Sequence, residues 1–147
     1  AINRLGELKS PEATGTLVEL LDFKRPQTSG EKMHISNMHD MYPAVPALFS
    51  IGQPAIPTII ARLRAGILSQ VARHNALRTL LSICRDNPPD AVLLLRKAAV
   101  TSKPGQETER LQTAAEELTS ICPKSWQTRC SAAYTIELAP KEGTNTR

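Results

Sequence analysis

Apolar residues recur along this chain with helical period, and one tetrad marks each recurrence. Ala-x-x-x-Leu occurs as Ala1/Leu5, Ala44/Leu48, Ala76/Leu80 and Ala114/Leu118. Each copy is followed, roughly twelve residues on, by a further apolar helical stretch. A period of about 30–45 residues is the range of helical solenoids, where each unit buries its apolar face by stacking on the next. The predicted fold is therefore all-α, a right-handed α-solenoid of about four stacked helix pairs.

The first helix ends near residue 9 with Ile2, Leu5 and Leu8 on one face. Ser10-Pro11-Glu12 is a helix start: a hydroxyl cap, proline at the first position and an acid near the positive end. That helix is expected to run to about Phe23 with Leu17, Leu20 and Leu21 inward, and Gly15 suits a close helix crossing. Residues 24–39 (KRPQTSGEKMHISNMH) are polar and break the rhythm, so they read as an insertion loop. Pro43-Ala-Val-Pro46-Ala-Leu48 and Pro54-Ala-Ile-Pro57-Thr-Ile59 are near copies, closed by Gly52 and Gly66, with Ile59, Ile60 and Leu63 inward. Ser69 caps a helix over about 70–86 with Val71, Leu77, Leu80, Leu81 and Cys84 inward. Pro88-Pro89-Asp90 breaks it, and a helix with Val92, Leu93, Leu95, Ala98 and Ala99 follows. The fourth unit packs Leu111, Ala114, Ala115 and Leu118 and stops at Pro123. The segment Cys130–Leu138 reads as a short helix or an extended tail.

Three stretches carry a family likeness: AINRLGELKSPEATGTLVELL, ALFSIGQPAIPTIIARL and VARHNALRTLLSI, the last with Arg73 three residues before Ala76. They resemble the HEAT repeat, in its bacterial HEAT-like variety. With the weaker unit from Leu111, the resemblance implies a HEAT-like repeat domain over 1–126, with insertion loop 24–39. Residues 127–147 are then a partly irregular C-terminal extension. The departures are the long insertion after the first repeat and the unpatterned C-terminus. The resemblance implies a non-enzymatic scaffold that binds another, unidentified protein along a concave groove. A minority of the family binds nucleic acid, which is the alternative reading. A HEAT-like lyase or chromophore-handling enzyme is a more distant one. Fold does not choose among these.

In HEAT stacks the second helix of each pair lines the concave face. The likeness puts Arg62, Arg64, Arg96 and Lys97 on such helices, where a basic groove receives acidic protein segments or phosphates. The competing reading is that all four are solvated positions. Arg73 is expected to bridge to a neighbouring repeat's turn, with His74 exposed beside it.

Charge changes this picture little. The net charge is +4 and the sequence pI about 9.2, but the cations are spread out. Aromatic residues are few (Phe23, Phe49, Tyr42, Tyr134 and Trp126), which weakens nucleic-acid binding, since stacking on bases requires them. Trp126 is expected to cap the apolar end of the stack. There is no run of about 18 apolar residues, so no membrane span is predicted.

Cys84, Cys122 and Cys130 form no CxxC pair and no zinc spacing. Cys84 lies on an apolar helical run and reads as a small buried hydrophobe. Cys122 and Cys130 flank a predicted turn and are a candidate disulfide, which would imply an oxidising compartment. Compartment stays open between cytoplasmic and exported. It depends on that redox state and on a leader removed ahead of Ala1, which opens directly inside a repeat motif.

All three methionines and two of the three histidines fall between Met33 and Met41. Met33, His34, Met38 and His39 are a candidate soft-metal set suited to Cu(I). The competing reading has the methionines filling gaps and the histidines facing water. No Gly-rich phosphate loop, nucleophile elbow or paired-carboxylate motif is present, so neither catalysis nor a cofactor is expected.

Overall fold

The computed structural model describes residues 2–26 and 41–138. Among them the chain is all-helical, with eight α-helices and no strand. It divides into two compact units, Ala1–Ile83 and Cys84–Arg147.

The first unit holds α1 (Ile2–Leu8), α2 (Pro11–Glu19), α3 (Ala44–Ile51), α4 (Ile56–Ala65) and α5 (Gln70–Ile83), with a short 3-10 turn at Gln53–Ala55 before α4. Lys9 adopts φ 47, the left-handed turn that lets α1 stop within one residue of the next cap. Ser10 Oγ then accepts from the Ala13 amide at 3.0 Å, a cap worth about 1 kcal/mol. α3 buries Ala44, Val45, Ala47, Leu48 and Ile51. It ends at Gly52, whose φ of 76 suits glycine, and the chain turns there by 111° into the next helical segment. α4 buries Ile56, Ile59, Ile60 and Leu63 and ends at left-handed Gly66, whose amide reaches the carbonyls of Arg62 and Leu63.

α1 packs on α3 and on α2; α2 also packs on α3 and α4 and touches α5; α5 packs on α3 and α4. Gly6, not Gly15, makes the close approach. A Cβ on Gly6 would sit 3.0 Å from both the Cα and the carbonyl oxygen of Ala47, whereas one on Gly15 would meet nothing within 4 Å. The missing side chain at residue 6 sets the distance between α1 and α3.

Two helix ends differ from expectation. α2 stops at Glu19, and tighter turns carry the chain on through Leu21 N–H to Val18 O and Phe23 N–H to Leu20 O. Val18 is fully buried, and Leu20, expected inward, is only half-buried. α5 stops at Ile83 and buries Ala72, Asn75, Ala76, Leu77, Thr79 and Leu80, which apart from Leu77 form an i, i+3, i+4, i+7, i+8 stripe. That rotation leaves Val71 exposed, where the sequence pattern had turned it inward.

The second unit holds α6 (Pro89–Thr101), α7 (Gln106–Ile121), a 3-10 turn at Lys124–Trp126 and α8 (Gln127–Thr135). α6 and α7 pack along each other through Val92, Leu95, Ala99, Leu111, Ala114, Ala115 and Leu118, all buried. Of the region left open between helix and tail, Cys130–Thr135 belongs to α8, which packs on both α6 and α7, and Ile136–Leu138 lies past its end. It buries just Cys130 and Ala133, so its docking rests largely on polar and covalent ties.

No single helix among the described residues is long and apolar enough to cross a membrane.

Candidate functional site

The four cations proposed for a groove have different fates. Arg62 and Arg64 lie in the last turn of α4. Arg62 Nη2 pairs with Glu19 Oε1 at 2.8 Å, tying α4 to the end of α2. With both side chains partly in water, that pair contributes about 0–1 kcal/mol. Arg64 is half-buried beside it. In the other unit, Arg96 donates from Nη1 to the carbonyls of Ala133, at 2.8 Å, and Ile136. It neutralises the negative end of α8 and satisfies carbonyls that the helix cannot. Lys97, next to it on α6, is exposed. Arg62 and Arg96 are thus engaged inside their own units.

Met33, His34, Met38 and His39 lie outside the described residues, as does the rest of 27–40. Among the described residues no three His, Cys, Asp or Glu side chains gather as a ligand set.

Cys122 and Cys130 are joined as a disulfide, with Cα atoms 6.8 Å apart and both residues buried. Gln127 reinforces the same turn by donating from Nε2 to Cys122 O at 2.7 Å. Trp126, half-buried, carries the Arg129 guanidinium 5.1 Å from its ring centroid. Cys84 is a free, half-buried thiol. Burial pushes its pKa up and the Asp90 carboxylate adds to the effect, which keeps it protonated and a poor nucleophile.

A polar seam that sequence reasoning missed joins the end of α2 to the start of α5. Asn75 Nδ2 donates to the Leu21 carbonyl at 2.7 Å, buried. Ser69 Oγ donates to Asp22 Oδ2 at 2.7 Å while accepting from the Ala72 amide at 3.2 Å. With Arg62–Glu19, three side-chain contacts hold residues 19–22 against α4 and α5.

This seam gathers an apolar edge. Val71 lies one helical turn before Asn75, on the side that meets the 21–23 segment. Ile67 precedes Ser69 by two residues, and Phe23 follows Asp22. Yet Phe23 is 42% exposed, Ile67 64% and Val71 45%. Cations flank them: Lys24 and Arg25 are exposed, and so is Arg78, which donates from Nε to His74 Nε2 at 2.9 Å. A sequence signal for this existed, because no Asp or Glu occurs from Met41 to Arg85.

Comparison with family models, with curated proteins and with solved structures returns no match to this chain.

Proposed function

We propose that the chain is a non-enzymatic protein-protein interaction scaffold built from HEAT-like helix pairs. The observation that carries this reading is the alternate-helix packing of the first unit. In a stack of pairs, first helices neighbour first helices and second helices neighbour second ones. α1, α3 and α5 follow the first rule, and α2 and α4 the second. On this reading α1 and α2, which pack on each other, make one pair; α3 and α4 follow as the next in chain order, splayed by the 111° turn at Gly52 instead of packed along each other; and α5 opens a third. Such a stack offers a preformed surface that needs little ordering on binding, which favours affinity. The seam at residues 19–22 supports this, since it fixes the ends of α2, α4 and α5 against one another.

The Cys122–Cys130 bond supports residence in an oxidising compartment.

The reading is tested by affinity capture from source-cell lysate and envelope fractions, followed by titration of the purified partner. A specific protein retained and binding saturably is the expected result. DNA and RNA should keep their mobility with the domain at low salt. A salt-sensitive nucleic-acid shift, together with no retained protein, would overturn the proposal.

A further inference from the structure

We propose that the edge formed by Phe23, Ile67 and Val71 is a docking surface for an acidic, amphipathic segment of a partner protein. The inference rests on the protein-binding reading above and adds the chemistry of the partner.

Phe23 adjoins Asp22, and Ile67 and Val71 each lie two residues from Ser69, so the Ser69–Asp22 hydrogen bond brings together two segments that carry exposed large apolar side chains, a feature that marks interaction surfaces. They are not loosely held. Hydrogen bonds at 2.7 Å on each side of the junction, Asn75 to Leu21 and Ser69 to Asp22, pin the backbone that carries Phe23 to the helix that carries Val71. A partner therefore meets an apolar edge already in place.

Charge selects the partner. Lys24 and Arg25 follow Phe23 directly and are exposed. Arg78 lies two turns along α5 from Val71 on the same face and is also exposed. Of the two carboxylates closest in sequence to the edge, Glu19 is paired with Arg62, while Asp22 accepts from the neutral Ser69 hydroxyl and keeps its negative charge. α3, α4 and α5 contribute no Asp or Glu at all. Among the described residues, three cations (Lys24, Arg25 and Arg78) thus stand against the single charge of Asp22, and the rim is net positive. A segment with apolar residues one turn apart and Asp or Glu beside them would bury its apolar face on the edge and set its acids against Lys24, Arg25 and Arg78. A nucleic acid would use the same cations but has no use for the aliphatic Ile67 and Val71, and one Phe is a poor stacking platform.

The test is panning of a phage-displayed random-peptide library on the immobilised domain. Recovered peptides are then titrated by fluorescence anisotropy against wild type, Val71→Asp and the triple charge reversal Lys24→Glu/Arg25→Glu/Arg78→Glu. All four positions are exposed, so thermal melts should match wild type. The expected binders are acidic with paired apolar residues. They should weaken by about tenfold or more in both variants and weaken further as salt rises. Binders that are neutral or basic, or that hold the variants as tightly as wild type, would overturn this assignment and leave the scaffold reading standing. A library that yields no binder overturns it too. So does a single-stranded oligonucleotide that binds in place of any peptide and is weakened by the charge reversal.

Discussion

Asn75 on α5 donates its side-chain amide to the carbonyl oxygen of Leu21, just beyond α2, at 2.7 Å with both groups buried. Leu21 lies past the last helical residue, so its carbonyl has left the helix ladder and takes this bond across the fold. Asn75 in turn lends its own carbonyl to Thr79 Oγ1 at 2.7 Å. Two polar residues thus sit within an otherwise apolar stripe without leaving those groups unsatisfied.

Replacing Asn75 tests that bond. Asn75→Ala leaves a buried carbonyl without its donor and should cost about 1–3 kcal/mol in urea-induced unfolding. Asn75→Asp should cost more, because an ionised carboxylate brings a buried charge and no N–H. If the alanine variant unfolds within about 0.5 kcal/mol of wild type, the Leu21 carbonyl is not held as described.

The two helical glycines should respond in opposite directions. Gly6→Ala places a Cβ about 3.0 Å from the Ala47 backbone, which cannot swing aside as a side-chain end could. The cost expected is about 1–3 kcal/mol, typical of overpacking. Gly15→Ala enters open space in the middle of α2 and should stabilise by about 0.5–1 kcal/mol through helix propensity. Paired thermal melts decide this, and equal shifts in the same direction would refute the assignment of the crossing to Gly6.

How much of this was legible in the sequence divides along a physical line. Helix existence was legible, because caps and breakers act locally: Ser10, Gly52, Gly66 and Ser69 all do what their side chains or missing side chains dictate. Helix rotation was legible only roughly. Val71 looked inward by apolar period, yet Asn75 and Thr79 occupy the buried stripe: Asn75 bonds to the Leu21 carbonyl on another segment, which fixes the rotation, and Thr79 bonds back to the Asn75 carbonyl within the helix. Gly15 looked like the crossing because it sits mid-helix, but close approach depends on the facing helix, which one helix's sequence does not report. The intramolecular partners of Arg62 and Arg96 were hidden for the same reason. Their partners, Glu19 and the end of α8, lie tens of residues away in sequence. Of the exposed edge of Phe23, Ile67 and Val71, the sequence showed the acid-free run from Met41 to Arg85, while the meeting of its two segments depends on the Asn75 and Ser69 hydrogen bonds.

The disulfide gives a count and a magnitude. Denatured, unreduced protein should titrate as one free thiol, Cys84, and as three after reduction. Closing so short a loop restricts the unfolded chain by roughly 2–3 kcal/mol. Reduction should therefore lower stability by about that amount. Three thiols without reduction would remove the support for an oxidising compartment.

Arg96 should matter locally. Arg96→Met keeps the apolar stem but strips the donors from the Ala133 and Ile136 carbonyls. Amide hydrogen exchange in α8 should quicken, while exchange in α1–α5 stays as in wild type. Uniform change across both units would contradict a role confined to the end of α8.

Cys84 supplies a pH prediction whose sign follows from linkage. Burial, with Asp90 adding, raises its folded-state pKa above the ordinary thiol value of 9.0. The folded protein therefore holds the thiol proton more tightly than the unfolded chain does. This contribution to stability is fully present below pH 9 and is lost as pH rises through the folded-state pKa. Urea midpoints collected from neutral pH upward should fall on the alkaline side for wild type, and less steeply for Cys84→Ala. The alanine variant removes the titrating group while leaving a small apolar side chain at a half-buried position. Alkylation reports the same proton: native Cys84 should react more slowly with iodoacetamide than a free thiol at equal pH, and unfolding should restore the rate. Parallel alkaline slopes for wild type and Cys84→Ala would show that some other group carries the dependence.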